Sequence, residues 1–308
     1  MTSAVVFAYH DVGARCLRVL LAHGIDVRLV VTHEDDPQEA RWFERVADVA
    51  HEYDLPVIAP SNPNAPDIVA QVAGAAPDLL FSFYYRQMLK NPLLAIPALG
   101  ALNMHGSLLP SYRGRAPVNW AVLHGERRTG ATLHFMVAKP DAGDIVAQQA
   151  VPILPDDTAG DVFRKVAVAA EIALDGALPA LIAGTAPRIP QDFTQGSYFG
   201  GRTAEDGRVD WSRPAAEIHN LVRAVAPPYP GALTTIAGAA ARVLRTRVIN
   251  AGAPAQDLPT AIVRNGRIVA QCGGGGTLAV HSLEIDGAPA GPDALVGRFG
   301  HLPIALGT

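Results

Sequence analysis

Two polar side chains lie at the end of one predicted strand. The run Gly100–His105 is apolar apart from Asn103 and His105, and the two-residue repeat of a strand places both on the same face. An amide and a protonated imidazole on one face could both donate to an oxygen that becomes negative during acyl or formyl transfer. Spacing alone leaves a second interpretation open, in which both residues are buried in the core with their hydrogen bonds made and have no catalytic role.

A carboxylate could join this pair from a second segment. Residues 139–144 read Lys-Pro-Asp-Ala-Gly-Asp, a composition that predicts a turn between two further strands. Asp141 would face the end of the first strand if the strands are neighbours, and a carboxylate beside an imidazole stabilises the imidazolium. Asn103, His105 and Asp141 together would suit formyl transfer without a covalent nucleophile.

Two arginines follow the strand that ends at His105. Arg113 and Arg115 lie in a segment with Tyr, Gly and Pro, before a predicted helix. Guanidinium groups at this place could bind phosphate or carboxylate. A solvated basic turn is an equally good interpretation of this composition.

Alternating strands and helices must position these residues. Such alternation of apolar strands with helical patterns predicts an α/β fold with a Rossmann-like, mostly parallel sheet, whose ligands bind outside the carboxyl ends of the strands. The first strand is followed by Ala-Tyr-His-Asp-Val-Gly and not by G-x-G-x-x-G, so a nicotinamide-dependent dehydrogenase is not expected. The predicted strands of this sheet cover residues 4–10, 27–32, 56–59, 78–84, 100–105, 131–137 and 145–153.

Composition divides the chain into three parts. Residues 1–183 carry the alternating pattern and are predicted to form the catalytic domain. Residues 184–203 are rich in Gly, Pro and polar residues and are predicted to be a linker. Residues 204–308 contain one helix and then five short strands, with Asn265-Gly266 as a hairpin signal. This pattern predicts a C-terminal OB-like small β-barrel domain.

Charge and composition exclude several classes. The 308 residues carry 25 Lys and Arg against 29 Asp and Glu, a net charge of −4, which disfavours bulk binding to nucleic acid. Hydrophobic residues make up 49 %, enough for a sizeable core. The apolar runs have strand length, and no signal peptide is visible. Cys16 and Cys272 form no CxxC pair. We therefore expect a cytoplasmic protein without membrane insertion, disulfides or a metal site.

The runs NMHGSLLP (residues 103–110) and DAGD (residues 141–144) resemble the signature of the 10-formyltetrahydrofolate-dependent formyltransferases. His105 and Asp141 lie 36 positions apart, which is similar to the spacing in that family. The resemblance extends over essentially the whole chain. It implies that Asn103 and His105 polarise the transferred formyl group. Asp141 would set the protonation of His105 and help to remove the proton of the attacking amine.

The same resemblance implies the co-substrate and its contacts. 10-Formyltetrahydrofolate would be the formyl donor, and no metal would take part. The residues implied to contact it are Gln87, Met88, Leu89, Arg115, Val137, Ala138, Lys139, Pro140 and Asp141.

Further runs are similar to the family members that formylate UDP-4-amino-4-deoxy-L-arabinose. They are VVFAYHD (residues 5–11), FSFYYR (81–86) and YRGRAP (112–117). This likeness implies a nucleotide-sugar acceptor and a role in lipid A modification and polymyxin resistance. The well-known enzyme of this type continues into an oxidative decarboxylase, whereas this sequence ends at Thr308. The decarboxylase would then be supplied by another protein of the same pathway or be absent.

Other acceptors give alternative interpretations. Another nucleotide-linked amino sugar, such as a dTDP-4-aminosugar, would use the same catalytic residues. Methionyl-tRNA is disfavoured, because residues 33–39 are acidic where the tRNA enzymes carry a basic loop. An inactive folate sensor would bind folate without turnover. The sequence predicts no particular oligomeric state.

Overall fold

The computed structural model describes residues 1–35, 41–300 and 303–307. The chain forms two compact units, each with its own sheet and hydrophobic core. The first unit comprises residues 1–117, 128–152 and 164–199, and the second comprises residues 118–127, 153–163 and 200–308.

Strands and helices alternate through the first half of the chain, and strands predominate near its end. The strands are β1 (Ser3–Ala8), β2 (Asp26–Val31), β3 (Val57–Ile58), β4 (Leu79–Phe83), β5 (Gly100–His105), β6 (Arg113–Gly114), β7 (Arg128–Phe135), β8 (Ile145–Pro152), β9 (Tyr198–Phe199), β10 (Ala232–Ile236), β11 (Ala239–Asn250), β12 (Thr260–Arg264), β13 (Arg267–Gln271), β14 (Thr277–Ile285), β15 (Ala288–Pro289) and β16 (Ile304–Ala305). The α-helices are α1 (His10–Ala22), α2 (Val46–Glu52), α3 (Pro66–Gly74), α4 (Asn91–Leu94), α5 (Pro117–Leu123), α6 (Ala159–Ile182), α7 (Ala215–Val225) and α8 (Pro292–Phe299).

The sheet of the first unit has the predicted Rossmann-like, mostly parallel arrangement. Its strand order is β3-β2-β1-β4-β5-β7-β8, and the pairs among the first five strands are parallel. Every residue of β1 and of β4 is buried, as expected for central parallel strands that are covered on both faces. Strand β7 pairs antiparallel with β5, and β8 pairs antiparallel with β7.

Because β7 runs antiparallel to β5, it places a second histidine beside the predicted site. In the register of β5 with β7, Asn103 pairs with His134, and His105 pairs with Thr132. Residues directly opposite each other in an antiparallel pair have their side chains on the same face. His134 is therefore a direct neighbour of Asn103.

The second unit is built on a curled antiparallel sheet. Its strand order is β10-β11-β14-β13-β12-β16, and a bridge between Ile236 and Leu306 joins the two ends of this order. Asn265 and Gly266 form the predicted hairpin turn between β12 and β13, both with positive φ. This half-barrel confirms the predicted C-terminal architecture. The structure also contains the helix α8, which the sequence analysis did not predict.

Some predicted elements differ in extent from the observed ones. A helical pattern over residues 37–53 corresponds to a helix that begins only at Val46, while residues 36–40 lie outside the described part. The acidic segment 33–39 is therefore described only as far as Asp35. The boundaries 1–183, 184–203 and 204–308 stay predictions. Within the described ranges, no helix is both long enough and apolar enough to cross a membrane.

Candidate active site

Four loops that follow strands of the first unit's sheet contain a residue with a side chain in a backbone conformation that such residues rarely adopt. Positive φ values occur at His10 after β1, at Tyr84 after β4, at Tyr112 after β5 and at Asp141 between β7 and β8. For residues with a side chain, this left-handed region costs free energy and is often retained at functional sites. Positive φ values also occur at Asp54 before β3 and at Ala76 before β4, so this strain is not confined to one edge of the sheet.

Asp141 lies against both histidines of the strand pair. Its Oδ1 atom is 3.5 Å from Nδ1 of His105 and 3.7 Å from Nε2 of His134. Its Oδ2 atom accepts a hydrogen bond of 2.9 Å from the backbone N–H of Gly114. The Asp141 side chain is 13 % exposed, so the carboxylate acts in a largely desolvated place. The structure thus brings Asn103, His105 and Asp141 to one edge of the sheet and adds His134.

One hydrogen bond decides which nitrogen of His105 can take part in chemistry. Nε2 of His105 lies 2.8 Å from the carbonyl oxygen of Tyr112. Because a carbonyl oxygen only accepts, Nε2 carries a hydrogen and donates it. Nδ1 is then the nitrogen without this hydrogen bond, and it faces Asp141.

His134 holds the amide of Asn103. Nδ1 of His134 donates to the carbonyl oxygen of Phe135 at 2.8 Å, which leaves Nε2 to accept from Nδ2 of Asn103 at 3.2 Å. Burial lowers the pKa of His134, so this imidazole is neutral at pH 7 and keeps its acceptor. From the sequence alone, a histidine in the middle of a strand, such as His134, is interpreted as structural. Its contact with Asn103 follows from the pairing register of β5 with β7, which the sequence analysis did not include.

The segment predicted as a linker supports this cluster from within the first unit. The backbone N–H of Tyr112 donates to Oγ of Ser197 at 2.8 Å, and the Tyr112 ring stacks on Phe199 with 5.3 Å between centroids. The side-chain amide of Gln191 donates to the carbonyl oxygen of Asp141 at 3.0 Å. Residues 191–199 therefore fix the two strained loops that carry the Tyr112 carbonyl and the Asp141 carboxylate.

A cavity of about 320 Å³ lies beside the loop that follows β4. This volume falls at the small end of the range of roughly 300–1,000 Å³ for small-molecule sites. Three of the residues implied to contact folate, Met88, Leu89 and Ala138, take part in its lining. The lining residues are Met88, Leu89, Lys90, Asn91, Pro92 and Ala138.

The other residues implied to contact folate do not line this cavity. The side chain of Gln87 donates to the carbonyl oxygen of Ser61 at 3.0 Å, and Nζ of Lys139 lies 5.1 Å from the ring centroid of Phe193. Their contacts with folate stay predictions. The exposed members of this group are Arg115, Val137, Lys139 and Pro140. In the described part of the chain, no three His, Cys, Asp or Glu side chains form a group suited to a metal ion.

The sequence matches two family models that together cover most of the chain. Residues 6–178 match the model described as formyl transferase, and residues 202–293 match the formyl transferase C-terminal domain. The chain therefore belongs to the formyl transferase family. This membership confirms the enzyme class that the runs at residues 103–110 and 141–144 indicate.

Solved structures with the same fold include sugar N-formyltransferases. An N-formyltransferase from Helicobacter canadensis, in complex with folinic acid and dTDP-3-aminofucose, is 19 % identical with a TM-score of 0.71, and the match covers 91 % of this chain and 99 % of that one. A sugar 3-N-formyltransferase with dTDP and 5-N-formyltetrahydrofolate is 18 % identical with a TM-score of 0.71, over 91 % and 97 % of the two chains. A sugar N-formyltransferase from a Shewanella species is 18 % identical with a TM-score of 0.60, over 76 % and 92 %.

Proposed function

We propose that the protein transfers the formyl group of 10-formyltetrahydrofolate to the 4-amino group of UDP-4-amino-4-deoxy-L-arabinose. The observation that carries this proposal is the cluster of Asn103, His105 and Asp141 in a chain of the formyl transferase family. The cavity that includes Ala138, three positions before Asp141, supports a folate donor. The complexes of similar fold with folinic acid or formyltetrahydrofolate support the same donor.

His105 acts through Nδ1 in this proposal. The donor supplies the formyl carbon that the neutral amine attacks. With a hydrogen on each ring nitrogen, His105 donates Nε2–H to Tyr112 and Nδ1–H to the formyl oxygen as that oxygen becomes negative. The carboxylate of Asp141 stabilises this imidazolium. When the folate nitrogen leaves, the Nδ1 proton of His105 passes to it.

Asn103 and Asp141 complete the site in complementary roles. A carboxamide has two N–H groups, and one of those on Asn103 is bound to His134. The second N–H donates to the formyl oxygen, with the amide orientation set by His134. Oδ2 of Asp141 is bound by the backbone of Gly114, so Oδ1 accepts the proton of the attacking amine, directly or through water.

The acceptor has a second candidate that a specific observation favours. The Helicobacter canadensis enzyme was solved with a dTDP-linked amino sugar, which supports a dTDP-aminosugar as well as a UDP-sugar. The UDP-sugar is preferred because of the runs at residues 5–11, 81–86 and 112–117. It implies a cytoplasmic enzyme of lipid A modification and polymyxin resistance.

A turnover assay with 10-formyltetrahydrofolate tests the proposal. Tetrahydrofolate release is measured with UDP-4-amino-4-deoxy-L-arabinose, a dTDP-4-aminosugar and methionyl-tRNA as acceptors. Release with the UDP-sugar alone is the expected result. Release with the dTDP-sugar alone keeps the mechanism and changes the substrate. Release with methionyl-tRNA alone, or with none of the three, contradicts the proposed nucleotide-sugar function.

A further inference from the structure

A row of three side chains crosses the strands β5, β7 and β8 beside the reaction centre. In the pairing registers, Thr132 of β7 lies opposite His105 of β5 on one side and opposite Gln148 of β8 on the other. Directly opposed residues of antiparallel strands have their side chains on the same face. Thr132 is fully buried, and so is Ser107, the second residue after His105. The proposed chemistry gives neither Thr132 nor Ser107 a role.

The hydroxyl of Thr132 makes every hydrogen bond of which it is capable. It donates to the carbonyl oxygen of Ser107 at 2.6 Å. It accepts from the backbone N–H of Leu109 at 3.1 Å and from Nε2 of Gln148 at 2.9 Å. A hydroxyl has one hydrogen and two lone pairs, so all three are used. Serine offers the same donor and acceptors, whereas valine has nearly the shape of threonine and offers none of them.

These bonds and two others hold the segment of residues 107–111 against β7 and β8. Nε2 of Gln148 also donates to the carbonyl oxygen of Leu109 at 2.8 Å. Oγ of Ser107 donates to the carbonyl oxygen of Ser111 at 2.6 Å. Side chains thus bind three carbonyls and one N–H of this segment. A segment bound in this way resists displacement of the residue that follows it, Tyr112.

Tyr112 transmits this anchoring to His105. Its backbone is in the left-handed region, with a φ of 58°, and its carbonyl oxygen accepts from Nε2 of His105 at 2.8 Å. That bond favours the neutral imidazole with hydrogen on Nε2 and leaves Nδ1 facing Asp141. Without it, the hydrogen of the neutral ring can move to Nδ1, which lies 3.5 Å from Oδ1 of Asp141. A displaced Tyr112 carbonyl would therefore change both the orientation and the tautomer of the ring.

We propose that Thr132 is a positioning residue for formyl transfer, because it holds the segment that places the Tyr112 carbonyl on His105. When Nδ1 of His105 gives its proton to the folate nitrogen, the imidazole left behind carries its hydrogen on Nε2. The Tyr112 carbonyl binds that form as well as the protonated one, so the ring keeps one orientation during the transfer. The inference rests on the proposed function only in its effect on turnover, since the tautomer of His105 can be measured without substrate.

Nitrogen NMR of the full-length protein with isotope-labelled histidine measures the tautomer directly. At alkaline pH, wild type should show His105 with hydrogen on Nε2 and His134, which donates from Nδ1, in the opposite form. The His105 signals are assigned by their loss in His105→Gln. Thr132→Val should move them toward the form with hydrogen on Nδ1 and leave the His134 signals unchanged. Thr132→Ser should restore the wild-type spectrum, because serine keeps the hydroxyl.

Turnover of the same variants tests the consequence for catalysis. Thr132→Val should lower kcat about tenfold and change KM for 10-formyltetrahydrofolate by less than about twofold, because a small displacement of a reacting group is costly. Thr132→Ser should recover much of the loss. Thr129→Val is the matched control, since Thr129 lies in the same strand, is 3 % exposed and makes no side-chain hydrogen bond to any described residue. This variant should keep the wild-type kcat and the wild-type tautomer of His105.

The possible failures lead to different conclusions, with circular dichroism to establish folding. A folded Thr132→Val protein that retains either the wild-type tautomer or the wild-type kcat would overturn the inference. So would a wild-type His105 with its hydrogen on Nδ1, or a loss of kcat in Thr129→Val as large as that in Thr132→Val.

A second variant covers the case in which Thr132→Val does not fold. Gln148 is exposed, and Gln148→Leu removes both bonds made by its amide, so we expect a smaller change of tautomer and of kcat in the same direction. A wild-type tautomer and kcat in Gln148→Leu would then overturn the inference. A shifted His105 tautomer in a chain whose wild type formylates no nucleotide sugar would support the positioning of the ring and contradict the proposed function.

Discussion

Each compact unit has a buried histidine beside a carboxylate, and the two can be compared. In the first unit, Nδ1 of His105 lies 3.5 Å from Asp141. In the second unit, Nε2 of His219 lies 3.6 Å from Asp156. Their carboxylates differ in environment, because the Asp141 side chain is 13 % exposed and the Asp156 side chain is 53 % exposed. A solvated carboxylate interacts weakly with a nearby charge, whereas a desolvated one interacts strongly.

The two imidazoles also differ in how their nitrogens are bound. In His219, Nε2 donates to the carbonyl oxygen of Pro155 at 3.0 Å and Nδ1 accepts from the Thr246 hydroxyl at 3.0 Å. Both nitrogens are therefore satisfied by neutral groups, and burial lowers the pKa of His219. His105 has one neutral partner, and its other nitrogen faces Asp141. We propose that His219, with both ring nitrogens hydrogen-bonded to neutral groups, is structural, whereas His105, with one nitrogen facing a carboxylate, transfers a proton.

Replacing each histidine in turn gives the largest contrast. We expect His105→Ala to lower kcat by about 10²–10⁴-fold, the usual contribution of a general acid or base. His219→Gln should keep a near-wild-type kcat per folded molecule. Formyl transfer and circular dichroism are measured on both variants. Similar losses of kcat in the two folded variants would contradict the different roles that the hydrogen bonds of His105 and His219 suggest.

The next largest effect concerns the second donor of the catalytic site. We expect Asn103→Ala to lower kcat by about 10²–10³-fold, as removal of one oxyanion donor commonly does, with a modest change in folate affinity. Steady-state kinetics and folate titration measure the two effects separately. Near-wild-type turnover in this variant would remove Asn103 from the mechanism.

His134 is expected to act only through Asn103. His134→Phe cannot accept from the amide, and we expect kcat to fall by about 10–100-fold, as misplacement of a catalytic group does. His134→Gln retains an acceptor and should recover much of the loss. In the double variant with Asn103→Ala, His134→Phe should cause no further loss. Additive losses in that double-mutant cycle would assign His134 a role independent of Asn103.

Filling the cavity beside the loop that follows β4 should raise KM for 10-formyltetrahydrofolate without changing kcat. Ala138→Trp fills the space between Ala138 and the Met88–Pro92 segment, and we expect KM for 10-formyltetrahydrofolate to rise about tenfold, equivalent to about 1.4 kcal/mol. The kcat at saturation should stay within about twofold, because the His105 contacts are untouched. A fall in kcat with unchanged KM would place the folate elsewhere.

Sequence patterns predicted the architecture and three members of the site for identifiable reasons. The continuous apolar runs of β1 and β4 are typical of central parallel strands, and the motif runs mark Asn103, His105 and Asp141. The catalytic roles themselves stay predictions that the variants above test.

The remaining features of the site depend on contacts that no local pattern encodes. His134 meets Asn103 through the register of two antiparallel strands, which alternation alone does not determine. The tautomer of His105 depends on the backbone carbonyl of Tyr112, and any residue type supplies a carbonyl. Gln191 belongs to a segment whose Gly- and Pro-rich composition is typical of a linker, although its amide binds the Asp141 loop.

The smallest expected effect is on stability and concerns His219. His219→Gln disturbs two buried hydrogen bonds, a loss of about 1–3 kcal/mol. At roughly 2–4 °C per kcal/mol, the scale for proteins of about 150–250 residues, Tm should fall by about 2–12 °C at pH 7.5. Thermal unfolding followed by circular dichroism measures this difference.

The pH dependence of that difference tests the physical cause. The unfolded chain protonates a histidine near pH 6.5, whereas burial lowers the pKa of His219 in the folded protein. The stabilisation by neutral His219 is therefore present above about pH 6.5 and is lost as pH falls toward the lowered pKa. Glutamine does not titrate, so the Tm gap between wild type and His219→Gln should narrow from pH 7.5 to pH 5. A gap that widens on acidification would mean that the folded protein favours the charged imidazole of His219, which would contradict burial as the cause of its lowered pKa.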